Sequence, residues 1–350
     1  MSHLMRSLGW CALLVARSAK PILIGVFLIA LPGSSEAAQP DQDQGTWHTA
    51  APTPMKRTEV AAAMVDGKIY VVGGFEKPGL GNILNFAITP AVEVYDPTTD
   101  RWTSKAPLPV GLHHVGSGVV GGRLYIIGGY SKSGLSVWNP VATVYAYDSA
   151  TDSWSERASM PTARGALSVT EHEGMLYAIG GYDRKSNNAQ VEVYDPARNQ
   201  WTSVASLPTP RDHLATATAA GKIYAIGGRL DGDYSRNLPI VEMYDPVTNQ
   251  WRQVADLPTA RSGITAAIVE GKIYVMGGEG ATGTFNQNEA FDPVRDTWQA
   301  MTPMPTARHG LGSAVVQRRI YIISGGPTPG GSFSDLNEVF TPPGSTVKAD

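Results

Sequence analysis

Histidines and carboxylates stand at a few matched points of this chain: Glu59, the run Leu112–His113–His114, the pair Asp212–His213, and His309. Imidazole changes charge close to neutral pH, and imidazole with carboxylate suits either metal ligation or proton transfer to a bound substrate. No local spacing gathers these residues, which lie far apart along the chain. Hydrogen-bonded or solvated polar groups are therefore the expected reading, with no metal and no cofactor.

Other catalytic arrangements are missing from the sequence. His172–Glu173–Gly174 does not continue to the second histidine of a metalloprotease helix. No serine occupies a nucleophile-elbow glycine frame, and no glycine-rich loop opens a helix onto a phosphate. The one cysteine, Cys11, falls in an N-terminal segment read below as a cleaved signal. The mature chain is thus expected to carry no disulfide, thiol nucleophile or thiolate metal site. A formal net charge of −3 with no basic stripe argues against a nucleic-acid partner.

The matched points exist because the chain repeats. GKIYVVGG at 67–74 returns almost unchanged as GKIYVMGG at 271–278, with LYIIGG (124–129), LYAIGG (176–181) and IYAIGG (223–228) between them and IYIISGG (320–326) after. The glycine pairs read as Gly73–Gly74, Gly128–Gly129, Gly180–Gly181, Gly227–Gly228, Gly277–Gly278 and Gly325–Gly326. Upstream lies a run of small and β-branched residues, such as VAAAMV (60–65) or ITAAIV (264–269), and then a two-residue turn such as Asp66–Gly67. Downstream come VEVYDP (92–97, 191–196) or VEMYDP (241–246) and, soon after, a tryptophan. The pattern predicts four short strands per unit, A to D, with proline at the second position of a tight C–D turn. No segment outside the N-terminal signal has a helical period.

Four-stranded units at a period of roughly 50 residues are the signature of a β-propeller. The D position holds Trp102, Trp154, Trp201, Trp251 and Trp298, whereas the sixth unit stops after NEVF (337–340). Trp47, in TWHTAAPTP (46–54), supplies the missing one, so the N-terminal strand is expected to close the ring. The glycine pair ending B, with tyrosine on C and tryptophan on D, resembles the Kelch repeat over residues 46 to about 340. The resemblance implies an all-β, six-bladed Kelch-type β-propeller with four antiparallel strands per blade. Small residues at Ala61–Ala63, Gly116–Gly118, Ala215–Thr218 and Gly312–Ala314 fit the crowding of inner strands at an axis. Oxidases related to galactose oxidase share such blades, but their copper radical site needs a cysteine crosslinked to tyrosine, which a cysteine-free mature chain excludes. Periplasmic sialic acid mutarotases are similar in their six Kelch blades and in export.

A recurring arginine leads into strand A, at Arg57, Arg164, Arg211, Arg261 and Arg308. A recurring glutamate lies on strand C, at Glu93, Glu192, Glu242, Glu289 and Glu338. The second unit has Leu112 and Tyr145 instead, so the two residues are kept or lost together. That pattern predicts ion pairs reaching over the glycines of B, across two strand spacings or roughly 9.5 Å. The alternative is a ring of guanidinium groups gripping an anionic ligand, as at the peptide-binding mouths of some Kelch adaptors.

The B–C loops vary in length while the other turns are uniform, and variable loops on a rigid scaffold are where binding resides. The longest belong to the first two units and carry Phe75, Phe86, Tyr130 and Trp138. With these go the candidate ligand-binding residues Glu59, Arg57, His113, His114, Tyr145, His213 and His309. The expected function is a binding module for a protein, peptide or glycan. A carbohydrate-active enzyme of mutarotase or lyase type is the alternative, and no catalytic residue is assigned.

Arg6, Arg17 and Lys20 precede an apolar run from Ile22 to Leu31, followed by small residues with Ser35 and Ala37 suited to a cleavage site. A spanning helix wants ~20 apolar residues, and this run is about half that. The expected organisation is a signal peptide over 1–37, a linker over 38–45, the propeller over 46–342 and a tail over 343–350. Export to the periplasm or beyond, with no membrane span after cleavage, is the expected location.

Overall fold

The computed structural model describes residues 43–77 and 86–344, and residues 1–37, expected to be a signal peptide, lie outside them. Among the described residues every regular element is a strand, and none is a helix long and apolar enough to cross a membrane. Six four-stranded antiparallel sheets carry the fold among the described residues. In the first, Ala61–Val65, Lys68–Val72, Val92–Asp96 and Arg101–Lys105 pair in sequence order as strands A to D. Val65 faces Lys68 across the turn Asp66–Gly67, both with left-handed backbone (φ 50° and 74°), the geometry that matches strand twist. The C–D turn is tied by the strand-C tyrosine: Tyr95 donates to Asp100 at 2.6 Å and Tyr194 to Asn199 at 2.6 Å.

The sheets are blades around an axis. Their A strands neighbour one another in a closed order, from Ala61–Val65 through Gly116–Val120, Ser168–His172, Ala215–Ala219, Thr265–Val269 and Gly312–Val316 back to the first. The core lies between blades. The cluster of Ile69, Val71 and Tyr95 from the first blade with Tyr321, Ile323 and Val339 from the last shows how the ends of the chain share one. Burial of such side chains from water is the main stabilising contribution to a disc of this kind.

The last blade is mixed in origin. Thr46–Thr49 pairs with Asn337–Thr341, placing Trp47 opposite Phe340 with ring centroids 5.0 Å apart. Every D-strand tryptophan donates its indole N–H to a carbonyl at the preceding blade's exit. Trp102 bonds Ala51 (2.9 Å), Trp154 bonds Ala106 (2.8 Å), Trp201 bonds Ala158 (2.8 Å), Trp251 bonds Ala205 (2.9 Å) and Trp298 bonds Ala255 (2.9 Å). Trp47 makes the same bond to Thr302 at 2.8 Å.

One sequence assignment is corrected. The first five glycine pairs take φ near 60° and then near 100°, and in the last blade Ser324 (φ 59°) and Gly325 (φ 96°) fill those two places. The pair is therefore Ser324–Gly325, one residue earlier than Gly325–Gly326. Only the second place excludes a side chain outright there, because a Cβ on Gly325 would lie 2.8 Å from the His309 carbonyl.

Candidate functional site

The segments leading into strand A build the mouth of the axis. Two residues beyond each recurring arginine, or beyond Leu112, stand Glu59, His114, Ala166, His213, Gly263 and Gly310, all with left-handed backbone. Each donates its backbone N–H to the carbonyl of the equivalent residue one blade back. Glu59 bonds Gly310 (2.7 Å), His114 bonds Glu59 (3.3 Å), Ala166 bonds His114 (2.9 Å), His213 bonds Ala166 (2.9 Å), Gly263 bonds His213 (3.0 Å) and Gly310 bonds Gly263 (3.0 Å). Six backbone hydrogen bonds thus close on themselves around the axis. Below this neck runs a channel of about 330 Å³ lined by small and hydroxyl-bearing A-strand residues, among them Ser117, Thr170, Thr216 and Ser313.

Above the neck lies a second tier from the residue that follows each glycine pair. Phe75, Tyr130, Tyr182, Arg229, Glu279 and Gly326 occupy it, and each bridges to the residue after the recurring arginine of its own blade. The tier has two halves. Phe75 and Tyr130, with Phe86, Trp138 and Tyr182, form an aromatic wall, while Arg229 and Glu279 form a charged one around a cavity of about 220 Å³. Arg184 lies over Trp138 at 5.3 Å and over Tyr182 at 5.7 Å, so a cation caps the aromatic side.

Hydrogen bonds fix the imidazoles. The Val137 carbonyl must accept from His113 Nε2 (2.8 Å). His113 Nδ1 then accepts from His114 Nδ1 at 2.5 Å, leaving His114 Nε2 as a bare lone pair 3.3 Å from Glu59 Oε2. Burial pushes the His113 imidazole down to about 3, and burial followed by the nearby His113, His213 and Arg229 holds His114 well below its ordinary range, so both rings are neutral. His213 donates Nδ1–H to Asp212 (2.5 Å), and its Nε2 accepts from Arg229 (2.8 Å). Arg229 also pairs with Glu279 at 2.5 Å and Asp212 at 3.4 Å. The Gly326 carbonyl accepts from His309 Nδ1 at 3.1 Å, while Nε2 lies 3.6 Å from both Glu59 and Glu279.

The recurring arginines do not face this mouth. All five are fully buried. Arg57–Glu93, Arg164–Glu192, Arg211–Glu242 and Arg308–Glu338 approach to 2.5 Å, and Arg261 pairs with Glu289 in the same way. Arg164 also donates to the carbonyls of Gly180, Thr162 and Ala178, while Thr162 donates to Glu192, so the buried charges are well partnered. The anion-gripping alternative, and with it a ligand role for Arg57, is corrected by that burial. Tyr145 is corrected as well. It and Leu112 fill the second blade's ion-pair places with apolar contact, inside one cluster with Val92 and Leu108. Phe75 and Tyr130 line the cavity but are almost wholly buried, and His113 stands behind His114, stacked on Phe75 at 3.8 Å. Glu59, His114, Trp138, His213 and His309 do line the cavity. Sequence reading passed over Tyr182, Arg229, Glu279 and Tyr234. The column after the glycine pairs held the signal for the first three.

A ring of four-stranded blades with a walled mouth at one end defines a β-propeller. The chain belongs to the Kelch-repeat family. A Kelch-repeats domain model named for KLHDC2, KLHL20 and DRC7 matches residues 166–341, and the Kelch motif matches 56–109 and 111–161. The chain is 33% identical over 184 residues to Kelch-like protein terF of Aspergillus terreus, covering 50% of this chain and 39% of that protein. It is 29% identical over 143 residues to mouse Kelch-like protein 35, covering 41% of this chain and 22% of the relative. The matched stretch is thus under half the length of these curated relatives. The solved structure of YjhT superposes with a TM-score of 0.71 at 19% identity, over 86% of this chain and 98% of that one, a likeness of fold. A Kelch propeller is consistent with a protein-interaction module.

Proposed function

We propose that this propeller is a binding module that takes one projecting group of a protein or peptide partner into the mouth above the neck. The observation that carries the reading is the divided wall. Phe75, Phe86, Tyr130 and Trp138 offer apolar surface on one side, and Arg229 with Glu279 offers directional polar contacts on the other. Clefts with apolar walls and a few convergent polar groups are where ligands bury themselves, and aromatic anchors supply most of the affinity at such contacts. Screening the purified protein against peptide and glycan arrays, then measuring the best binder by calorimetry, tests this. Trp138→Ala is expected to weaken binding at least tenfold. Unchanged affinity, with loss caused instead by changes in the C–D turns, overturns the site.

A second reading is a sugar-ring-opening enzyme of mutarotase type, favoured by one contact: the unprotonated His114 Nε2 facing Glu59 at 3.3 Å. A basic nitrogen there suits taking the proton from an anomeric hydroxyl, with water returning one to the ring oxygen. Exchange between anomers of added sugars, followed by NMR, decides between turnover and simple binding. We also propose, from the composition of residues 1–37, that the mature chain is exported and begins near Ala38. N-terminal sequencing that finds Met1 retained overturns this.

A further inference from the structure

The neck gathers ligand atoms from three blades. We propose that Glu59, His114 and His213 form a site for a divalent transition-metal ion such as zinc, with the fourth position open to the mouth. The proposal departs from the sequence expectation of no metal and does not depend on which partner the mouth takes.

One ligand atom from each of the three residues lies within 4.8 Å of the other two. Zinc bonds of about 2.0–2.2 Å place tetrahedral neighbours roughly 3.3–3.6 Å apart, and His114 Nε2 is 3.3 Å from Glu59 Oε2. Each histidine is already oriented as a ligand: Nδ1–H is tied to a protein acceptor, His113 Nδ1 in one case and the Asp212 carboxylate in the other. Such outer partners fix the ring and its tautomer and raise the basicity of the ligating nitrogen. Charge favours a cation too. Asp212 and Glu279 pair with the guanidinium of Arg229, and Glu59 adds a third carboxylate beside His114.

Geometry is held in advance by the backbone. All three residues occupy the same place in their repeats, on the closed ring of hydrogen bonds at the axis. The remaining places are Ala166, Gly263 and Gly310, which leave room for the ion. A Cβ on Gly310 would stand 2.5 Å from Glu59 Oε1. Arg229 is the competitor. It donates to His213 Nε2 at 2.8 Å and must turn away, keeping Glu279 and Asp212 as partners.

The test uses protein purified without a histidine tag and stripped with chelator. Zinc is titrated by calorimetry, and cobalt by visible absorption. One equivalent is expected, with the intense bands of tetrahedral cobalt. His114→Ala and Glu59→Gln should abolish stoichiometric binding, and His113→Asn should weaken it by ~10–100-fold through the outer partner. His172→Ala, remote at the end of strand A in the third blade, should leave it intact. A crystal of the unmutated protein soaked in zinc should show one anomalous peak between Glu59 and His114, a reading independent of how the variants fold. Less than one equivalent bound, binding that survives both substitutions, or a peak elsewhere overturns the site.

Discussion

The Arg164–Glu192 pair is a buried charge cluster whose value lies in having every partner present. Removing one member strands the other away from water, so Arg164→Ala or Glu192→Ala should each cost ~3–5 kcal/mol in chemical denaturation, far above an exposed pair. Costs near zero would show the pair to be incidental. Gly310 is sensitive for another reason. Its left-handed backbone and the approach of Glu59 argue that Gly310→Ala costs ~1–3 kcal/mol and turns the Glu59 carboxylate away from His114, visible in a crystal structure of the variant. Ala166→Gly at the equivalent place should change stability by less than about 1 kcal/mol, since relief of strain offsets added freedom in the unfolded chain. At this scale the sequence was readable wherever a residue recurs. Arg164 and Glu192 belong to columns that vanish together in the second unit. Tyr145 misled because its place in the column was clear while its direction was not: burial beside Leu112 was cheaper than exposure at the mouth.

The second blade is an element in which contact by apolar side chains replaced an ion pair. Leu112→Arg alone puts a guanidinium among Val92 and Leu108, and Tyr145→Glu alone puts a carboxylate there. Together they restore the arrangement of the other blades. The double variant should therefore be ~1–3 kcal/mol more stable than the two single costs predict when added. Additive costs would mean that the blade's backbone no longer fits the pair. Strand order, the two-residue A–B turns and the tight C–D turns with their proline were legible because each follows from local residue chemistry. The slip at Ser324 arose because a serine took a left-handed place that sequence patterns reserve for glycine. Only Phe75 and Tyr130 of the mouth's second tier were read, because its column holds Phe75, Tyr130, Tyr182, Arg229, Glu279 and Gly326. Those residues share a place and no chemical type.

Across the whole molecule, blades are joined at three radii. The tryptophan N–H bonds lie outermost, bonds such as Gly129 N–H to Arg164 carbonyl (2.9 Å) lie midway, and the neck ring lies at the axis. Trp47 completes the outermost set, so Trp47→Ala should lower stability by ~2 kcal/mol, about half the cost of a fully buried tryptophan. Deleting residues 43–50 should do more, exposing the edge of Asn337–Thr341 and leading to aggregation. Light scattering and thermal melts measure both, and a deletion variant as stable and monodisperse as the parent would refute the role of that strand.

The pairing of Thr46–Thr49 with Asn337–Thr341 also sets the order in which this disc can be made. Among the described strands Thr46–Thr49 is made first and its partner Asn337–Thr341 last, so the ring cannot shut until the last blade exists. Until then Thr46–Thr49 waits with an open edge, and the blade between its two contributors is a sheet lacking one strand. Closure joins segments of very high sequence separation, the kind of contact that slows folding most. Such an intermediate is the species most exposed to association with other copies of itself or to capture by a chaperone. The latch that makes the finished ring durable is therefore also expected to be the slowest and most vulnerable step of its birth.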